Sequence, residues 1–208
     1  MNDDSKGIRK PCQKRSIEKK QIIIDTAKQL FCQNSYYNTT TNEIAKQAGL
    51  SIGTLYSYFA DKEDILLEIL EQYNAHFNHA FDFMDAETNI KFFLDNPRKW
   101  FYTAIENLVA AHESQKSLYQ EIEALYHSMP AVTKTMDAQN EQMRLATLEL
   151  LKACKVDLSN DDIETASVIL VDFTSSLVDR ITFKEPFVDR QKLMKMGAET
   201  LYRVVFPS

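Results

Sequence analysis

Histidine and glutamate pairs at helical spacing are the residues of this chain whose types suit a metal ion. His76 and His79 stand three residues apart, and Glu123 and His127 stand four apart. Either pair places two possible ligands on one face of a helix. No cysteine lies near them, and such histidines are more often exposed or hydrogen-bonded packing residues. We therefore predict no metal site and no cofactor.

Motifs of known catalytic machinery are absent from the sequence. The chain has no GxSxG, no P-loop, no glycine-rich phosphate turn and no Cys/His pair at a recognised spacing. Glu121 and Glu123 are two positions apart, so they point to different sides of a helix. We predict that the protein is not an enzyme.

The most specific spacing lies between positions 40 and 63, in the run TTNEIAKQAGLSIGTLYSYFADKE. Thr40 and Glu43 form a capping-box pair at the start of one short helix, and Gly49 is a typical residue for its end. Ser51 caps a second short helix that we predict from Ile52 to Phe59. Two short helices joined by a sharp turn, the second largely polar outside, predict a helix-turn-helix. Its second helix is the one that enters a major groove.

Longer helices must brace this pair, because neither short helix is stable alone. Apolar residues recur at helical spacing in residues 16–34, and Asp61 caps a fourth helix that runs to about residue 83. With four glycines, the chain lacks the many tight turns of a β protein. We therefore expect an all-α fold. The later predicted helices cover about 85–95, 97–112, 115–128, 130–154, 160–183 and 189–205.

Charge separates a basic end from an acidic body. Residues 1–60 carry nine Lys or Arg against five Asp or Glu, and the remaining residues carry fifteen against twenty-five. The basic end indicates a polyanionic partner, and a solvated tail is the alternative. Three widely spaced cysteines without a CxxC pair, and the absence of a long apolar run, indicate a reduced, cytoplasmic protein without a membrane partner.

The helix-turn-helix run resembles that of the TetR family of bacterial transcriptional regulators. The resemblance covers about residues 17–70 and rests on the pattern Thr40-x-x-x-Ile44-Ala45-x-x-Ala48-Gly49-Leu50-Ser51-x-Gly53-Thr54-Leu55-Tyr56-x-Tyr58-Phe59-x-x-Lys62-Glu63-x-Ile65-Leu66. It implies an all-α protein with an N-terminal three-helix helix-turn-helix domain and a C-terminal helical bundle. The implied parts are a mobile basic arm at 1–15, the DNA-binding domain at 16–62, and the ligand-binding and dimerisation domain at 63–208.

The resemblance also implies a function. Such proteins are homodimers that bind a near-palindromic operator in double-stranded DNA and usually repress transcription. A small-molecule effector in the C-terminal domain releases the DNA, and the aromatic content here suits a hydrophobic or aromatic effector. A helical architectural or adaptor protein that binds DNA without a ligand is the alternative.

The DNA-binding residues are assigned by carrying the family pattern onto the matching positions. The implied phosphate contacts are Thr40, Thr41, Thr54, Tyr56 and Lys62. The implied groove-facing positions are Asn42, Ile52, Gly53 and Ser57, and Ser51 and Tyr58 complete the set. The predicted second helix holds no Arg, Lys, Asn or Gln, so hydroxyl and methyl contacts and DNA shape must do more of the reading. Basic residues of the arm could add phosphate contacts or enter a minor groove.

Two further sites are predicted in the C-terminal part. Aromatic residues are dense between positions 73 and 102, and most suit a core, but the resemblance implies that some line a cavity. The predicted pocket residues are Phe81, Trp100, Tyr126 and Met143.

The apolar faces of the last two helices indicate a dimer seam in which two helices from each subunit form a four-helix bundle about a two-fold axis. An ordinary monomer core is the alternative. The predicted seam residues are Ile169, Phe173, Leu177, Leu193 and Leu201.

Overall fold

A computed structural model describes residues 14–81, 86–184 and 188–207, without the side chains of residues 78–81. The described residues form ten α-helices and no strand, which confirms the all-α prediction. The helices are α1 (Lys14–Asn34), α2 (Thr41–Gln47), α3 (Ile52–Tyr56), α4 (Lys62–Phe81), α5 (Ala86–Asp95), α6 (Pro97–Ser114), α7 (Lys116–Tyr126), α8 (Pro130–Ala153), α9 (Asn160–Phe183) and α10 (Arg190–Val205). None of these described helices is long and apolar enough to cross a membrane.

The chain divides into two compact units. The first comprises the residues up to Tyr73 together with Ser117–Thr133, and the second comprises Asn74–Lys116 together with the residues from Lys134 onward. The division therefore falls within α4, whereas the functional boundary predicted at residues 62 and 63 stays a prediction. Residues 1–13 of the predicted arm lie outside the described residues, and residues 14 and 15 already belong to α1.

The first unit is built around the buried faces of α1, α2, α4 and α7. Ile23 and Phe31 of α1 are fully buried, as are Ile44 of α2 and Ile65 of α4. Ile122 of α7 belongs to the same unit and is 2% exposed. Because α7 is distant in sequence, the local pattern did not predict that this helix is one of the braces of the helix-turn-helix.

The second unit is organised around α6, which packs against α5, α9 and α10. Gly197 permits an unusually close approach of α10 to its neighbours. A Cβ atom at position 197 would lie 2.3 Å from Leu177 Cδ2 of α9 and 3.6 Å from Ile105 Cδ1 of α6. The first distance is far inside van der Waals contact, so the observed packing requires a residue without a side chain at this position.

His112 of α6 is a largely buried titratable residue in the second unit. Its ring centroid lies 4.5 Å from that of Phe77 and 6.2 Å from that of Phe183. Its Nδ1 donates a hydrogen bond to the Leu108 carbonyl at 2.9 Å, since a carbonyl can only accept. Burial lowers the pKa of His112, although this hydrogen bond and the charge of Asp179 act in the opposite direction. The folded protein therefore favours the neutral imidazole.

We expect the free energy of unfolding to decrease as the pH falls below the ordinary imidazole pKa of 6.5. The pKa of His112 is lower in the folded chain than its ordinary 6.5, so the unfolded chain binds the proton more tightly. Stability is thus present above the ordinary pKa and is lost as the pH falls through the folded-state pKa. His112→Phe keeps an aromatic ring that does not titrate. The thermal midpoint of this variant, measured by circular dichroism, should decrease less than that of the natural chain when the pH is lowered. An equal loss in both proteins would assign the pH dependence to other groups.

Candidate nucleic-acid interface

Caps and one left-handed turn set the geometry of α2. The Thr40 hydroxyl accepts a hydrogen bond from the Glu43 N–H at 3.2 Å, and the Glu43 carboxylate accepts from the Thr40 N–H at 2.8 Å. The predicted capping box is therefore present. Gly49 follows α2 with a φ of +67°, and the Leu50 N–H donates to the Ala45 carbonyl at 2.9 Å. This is a Schellman motif, in which glycine avoids the steric cost of the left-handed conformation.

The second short helix ends earlier than predicted, at Tyr56 rather than Phe59. Ser51 caps its start and accepts from the Thr54 N–H at 3.1 Å. At its end the Ser57 hydroxyl donates to the Thr54 carbonyl at 2.7 Å, a local side-chain bond of the kind that competes with helix continuation. Phe59 then lies in the turn after the helix and is 3% exposed, so its ring anchors the end of α3 in the core.

The outward side of α2 and α3 brings six of the predicted DNA-binding residues together. We call this the α2–α3 surface, and its members are Thr41, Asn42, Ile52, Gly53, Tyr56 and Ser57. Tyr56 is 49% exposed and Ile52 is 37% exposed. The Tyr56 hydroxyl lies 3.0 Å from Thr41 Oγ1, so a hydrogen bond ties α3 to the first turn of α2. This hydrogen bond links the two helices on their exposed side.

Four other predicted residues also serve the fold. Thr40 and Ser51 are the two helix caps, and Thr54 Oγ1 lies 2.8 Å from Ser51 Oγ. The Tyr58 hydroxyl lies 3.0 Å from Ser16 Oγ of α1. These contacts stabilise the fold, and the role of the four residues in DNA binding stays a prediction.

Lys62, the first residue of α4, is held by contacts inside the first unit. Its Nζ donates to the Tyr36 carbonyl at 2.7 Å and to the Thr39 carbonyl at 2.8 Å. The same atom lies 4.1 Å from the centre of the Tyr36 ring, a cation–π arrangement. Burial lowers the pKa of Lys62 and raises the pKa of Tyr36 to about 12. An ammonium has three donors, so the predicted phosphate contact by Lys62 would use the third donor or replace a carbonyl.

Sequence reasoning missed the contacts that α7 and the turn after it make with the connection from α1 to α2. Glu121 Oε1 accepts from the Tyr36 N–H at 2.5 Å. The Tyr37 hydroxyl donates to Ser128 Oγ at 3.0 Å, although the Tyr37 side chain is 61% exposed. The partners are 85 and 91 positions apart, so no local spacing signals them.

The predicted pocket residues belong to different units. Tyr126 lies in the first unit, Trp100 and Met143 lie in the second, and the Phe81 side chain lies outside the described residues. Trp100 is buried, and its Nε1 donates to Asn89 Oδ1 at 2.7 Å. Met143 is half-buried. The pocket stays a prediction.

The predicted seam residues differ in exposure. Ile169 is 45% exposed, while Phe173 and Leu193 are half-buried. Leu177 and Leu201 are 8% and 2% exposed, so they already belong to the core of their own chain. The seam itself stays a prediction.

For the predicted absence of a metal, the described residues contain no group of three or more His, Cys, Asp or Glu side chains that could hold an ion.

We expect Lys62→Met to lower the free energy of unfolding by about 1 kcal/mol, because two carbonyls lose a charged donor. Lys46→Met is the matched control, since Lys46 is an exposed residue of α2. Urea unfolding of both variants gives the comparison. A loss no larger than that of the control would show that the Lys62 contacts contribute little to stability.

Two family models match this chain. The model described as bacterial regulatory proteins, tetR family, matches residues 23–69, which include α2 and α3. The model described as tetracyclin repressor-like, C-terminal domain, matches residues 79–205, more than half of the chain. Together they cover most of the described helices.

Individual relatives agree with these matches. The HTH-type transcriptional regulator AcrR of Shigella flexneri is 28% identical over 84% of this chain and 83% of its own length. The uncharacterized HTH-type regulator YuxN and the fatty acid metabolism regulator protein, both of Bacillus subtilis, are 46% and 44% identical over 27% and 24% of this chain. The matches cover 19% and 26% of those two proteins, so the chain spans about a quarter or less of their lengths.

A solved structure shows the same fold. The crystal structure of a TetR-family transcriptional regulator from Mesorhizobium loti has a TM-score of 0.71 at 20% identity, over 93% of this chain and 98% of that one. The matched families and relatives are regulators, which confirms the prediction that the chain is not an enzyme. The helix-turn-helix geometry and the family model over residues 79–205 lead to one conclusion: this chain belongs to the TetR family of bacterial regulatory proteins.

Proposed function

We propose that this chain is a homodimeric, sequence-specific DNA-binding repressor that a small hydrophobic or aromatic molecule releases from a near-palindromic operator. The observation that carries the proposal is the α2–α3 surface, on which exposed Ile52, Gly53 and Tyr56 stand on a braced helix pair. A major groove is wide enough to admit one such helix. Family membership supports the regulatory role.

The chemistry of the α2–α3 surface suits phosphate positioning combined with close backbone approach. Thr41 and Tyr56 share a hydrogen bond of 3.0 Å and carry hydroxyls that can contact phosphates. Ile52 can meet a thymine methyl group. Because α3 has no cationic or amide side chain, it does not read the sequence through hydrogen bonds from long polar side chains to the base edges. Shape and van der Waals complementarity carry more of the specificity.

Gly53 supports this close approach. A Cβ atom at position 53 would meet nothing nearer than Ser51 Oγ at 4.0 Å. The fold therefore has no steric need for glycine here, and glycine within a helix costs up to about 1 kcal/mol relative to alanine. Contact with DNA backbone supplies the missing reason for a residue without a side chain.

Exposed apolar residues on the last two helices support a dimer. Val168 and Ile169 of α9 are 43% and 45% exposed, and Met196 of α10 is 62% exposed. A second copy related by a two-fold axis would remove such side chains from water. Two reading heads also match two half-sites spaced by one helical turn or a multiple of it.

The effector proposal rests on the C-terminal family model and on aromatic side chains of the second unit. Phe93 and Trp100 have ring centroids 5.2 Å apart, and Phe93 and Phe101 have centroids 5.7 Å apart. Pockets for small hydrophobic ligands are lined by residues of this kind. Candidate molecules are therefore small apolar or aromatic compounds, and release of bound DNA is the signal to screen for.

The first experiment is footprinting of the intergenic region beside the protein's own gene, with competitor DNA and a salt series. We expect protection of a short palindrome, with an affinity that falls steeply as the salt concentration rises. Binding without a preferred site would contradict the repressor proposal and favour an architectural protein.

Gly53→Ala should separate DNA binding from folding. We expect the variant to be as stable as the natural chain or more stable, by up to about 1 kcal/mol in urea unfolding. Its affinity for the protected palindrome should fall by about tenfold or more, because the added methyl group holds the DNA backbone away. Unchanged affinity would show that DNA does not approach residue 53 closely.

Ile169→Glu should dissociate the dimer, because two buried charges would face each other across the seam. Leu145→Glu is the matched control, since Leu145 on α8 is also 45% exposed. Sedimentation equilibrium at about micromolar protein gives the mass of each variant. A dimeric Ile169→Glu protein would contradict the α9 seam, and a monomeric Leu145→Glu protein would indicate a seam on α8.

A further inference from the structure

Tyr36, in the connection from α1 to α2, is held at both polar groups of its backbone. Its N–H donates to Glu121 Oε1 of α7 at 2.5 Å, and its carbonyl accepts from Lys62 Nζ of α4 at 2.7 Å. The same Lys62 atom also reaches the Thr39 carbonyl at 2.8 Å. Two oppositely charged side chains from two helices therefore fix one short segment of backbone.

This segment leads directly into the α2–α3 surface. Thr39 is 1% exposed, and its hydroxyl donates to the Ser35 carbonyl at 2.9 Å. The next residue, Thr40, caps α2, and Thr41 then bonds to Tyr56 of α3. Four residues therefore separate Tyr36 from the first residue of α2.

The connection also contains a strained residue that needs external support. Ser35 has a φ of +69°, a conformation that costs a non-glycine residue of the order of 1 kcal/mol or more. Such a residue persists where its surroundings determine its conformation. Glu121 binds the N–H that immediately follows Ser35, through a charge-assisted hydrogen bond.

We propose that Glu121 is a positioning residue for DNA binding: its carboxylate fixes the path of residues 35–40, and thereby the placement of α2 and of Lys62. The inference rests on the proposed function, since the α2–α3 surface is its object. Glu121 acts as a hydrogen-bond acceptor for Tyr36 and makes no contact with DNA in this role.

The sign of its electrostatic effect makes the role testable. A carboxylate close to a DNA-facing surface repels a polyanion, so loss of its charge alone would tighten DNA binding. Loss of its hydrogen bond would instead weaken DNA binding, because residues 35–40 would no longer be held. Glu121→Gln removes the charge and keeps an acceptor oxygen, whereas Glu121→Ala removes both.

The experiment measures the affinity of full-length variants for the palindrome that the natural chain protects, by fluorescence anisotropy over a salt series. Circular dichroism first establishes that each variant is folded at the working temperature. We expect Glu121→Ala to bind about tenfold more weakly, because residues 35–40 lose a charge-assisted hydrogen bond. Glu121→Gln should stay within about threefold of the natural chain. Glu123→Ala, an exposed position on the same helix, is the control and should bind as the natural chain does.

Two further readouts separate positioning from a general loss of stability. Hydrogen exchange of the Tyr36 amide, followed by NMR without DNA, should be faster in Glu121→Ala than in Glu121→Gln. In a Lys62→Met background the effect of Glu121→Ala on affinity should shrink to less than about threefold, because the two contacts hold the same segment. Independent effects of the two substitutions on affinity would overturn the proposal.

The possible failures are distinguishable. If the natural chain protects no DNA site, the proposed function fails, and the positioning role fails with it. If the natural chain binds its palindrome and Glu121→Ala binds equally well or more tightly, the positioning role alone is overturned. Equal weakening of Glu121→Ala and Glu121→Gln would show that an acceptor oxygen at position 121 does not sustain DNA binding, and would also overturn it.

Discussion

Helices of seven and five residues cannot persist in water on their own, and the α2–α3 surface depends on overcoming that limit. Short helices leave most of their terminal N–H and C=O groups without intrahelical partners. Here Thr40 and Ser51 satisfy donors at the two starts, and Gly49 lets the chain turn back onto carbonyls at the end of α2. Burial of Ile44 and Leu55 then holds the pair against the unit. Cap and core act together, since neither alone stabilises so short a helix.

The braces of this pair carry polar contacts as well as apolar ones. Lys62 begins α4 and at the same time closes the connection before α2 by binding two of its carbonyls. Lys20 of α1 forms an ion pair with Glu68 of α4 at 2.6 Å and lies 5.6 Å from the centre of the Phe59 ring. These polar contacts are directional, whereas apolar burial alone is not. They therefore restrict how the helices of the first unit are oriented relative to one another.

Local patterns predicted what is made locally. The capping box of Thr40, the left-handed Gly49 and the cap of Ser51 involve residues within five positions of one another, so sequence spacing is sufficient to foresee them. The helix borders follow from the same signals, within one or two residues in most cases. The end of α3 differs from the predicted end because the Ser57 hydroxyl donates a hydrogen bond to the Thr54 carbonyl of the helix.

Contacts distant in sequence were beyond such prediction. The bond between Glu121 and Tyr36 spans 85 positions and exists because α7 packs into the first unit. Likewise, helical spacing places Leu177 and Leu201 on apolar faces. The spacing does not decide whether these residues face the core of their own chain, as they do here, or a second copy. Residue types and period define a face, and only packing decides what covers it.

Gly197 has a consequence for how this sequence can change over evolutionary time. A side chain at position 197 would occupy the space that Leu177 fills now, with 2.3 Å between the two carbon atoms. The residue types at the two positions therefore depend on each other, although the positions are twenty apart in the sequence. A related protein that carries alanine or a larger residue at position 197 needs a different side-chain conformation or a smaller residue at position 177, or a wider separation of α9 and α10. We therefore expect positions 177 and 197 to covary among related proteins, because their helices cross closely here.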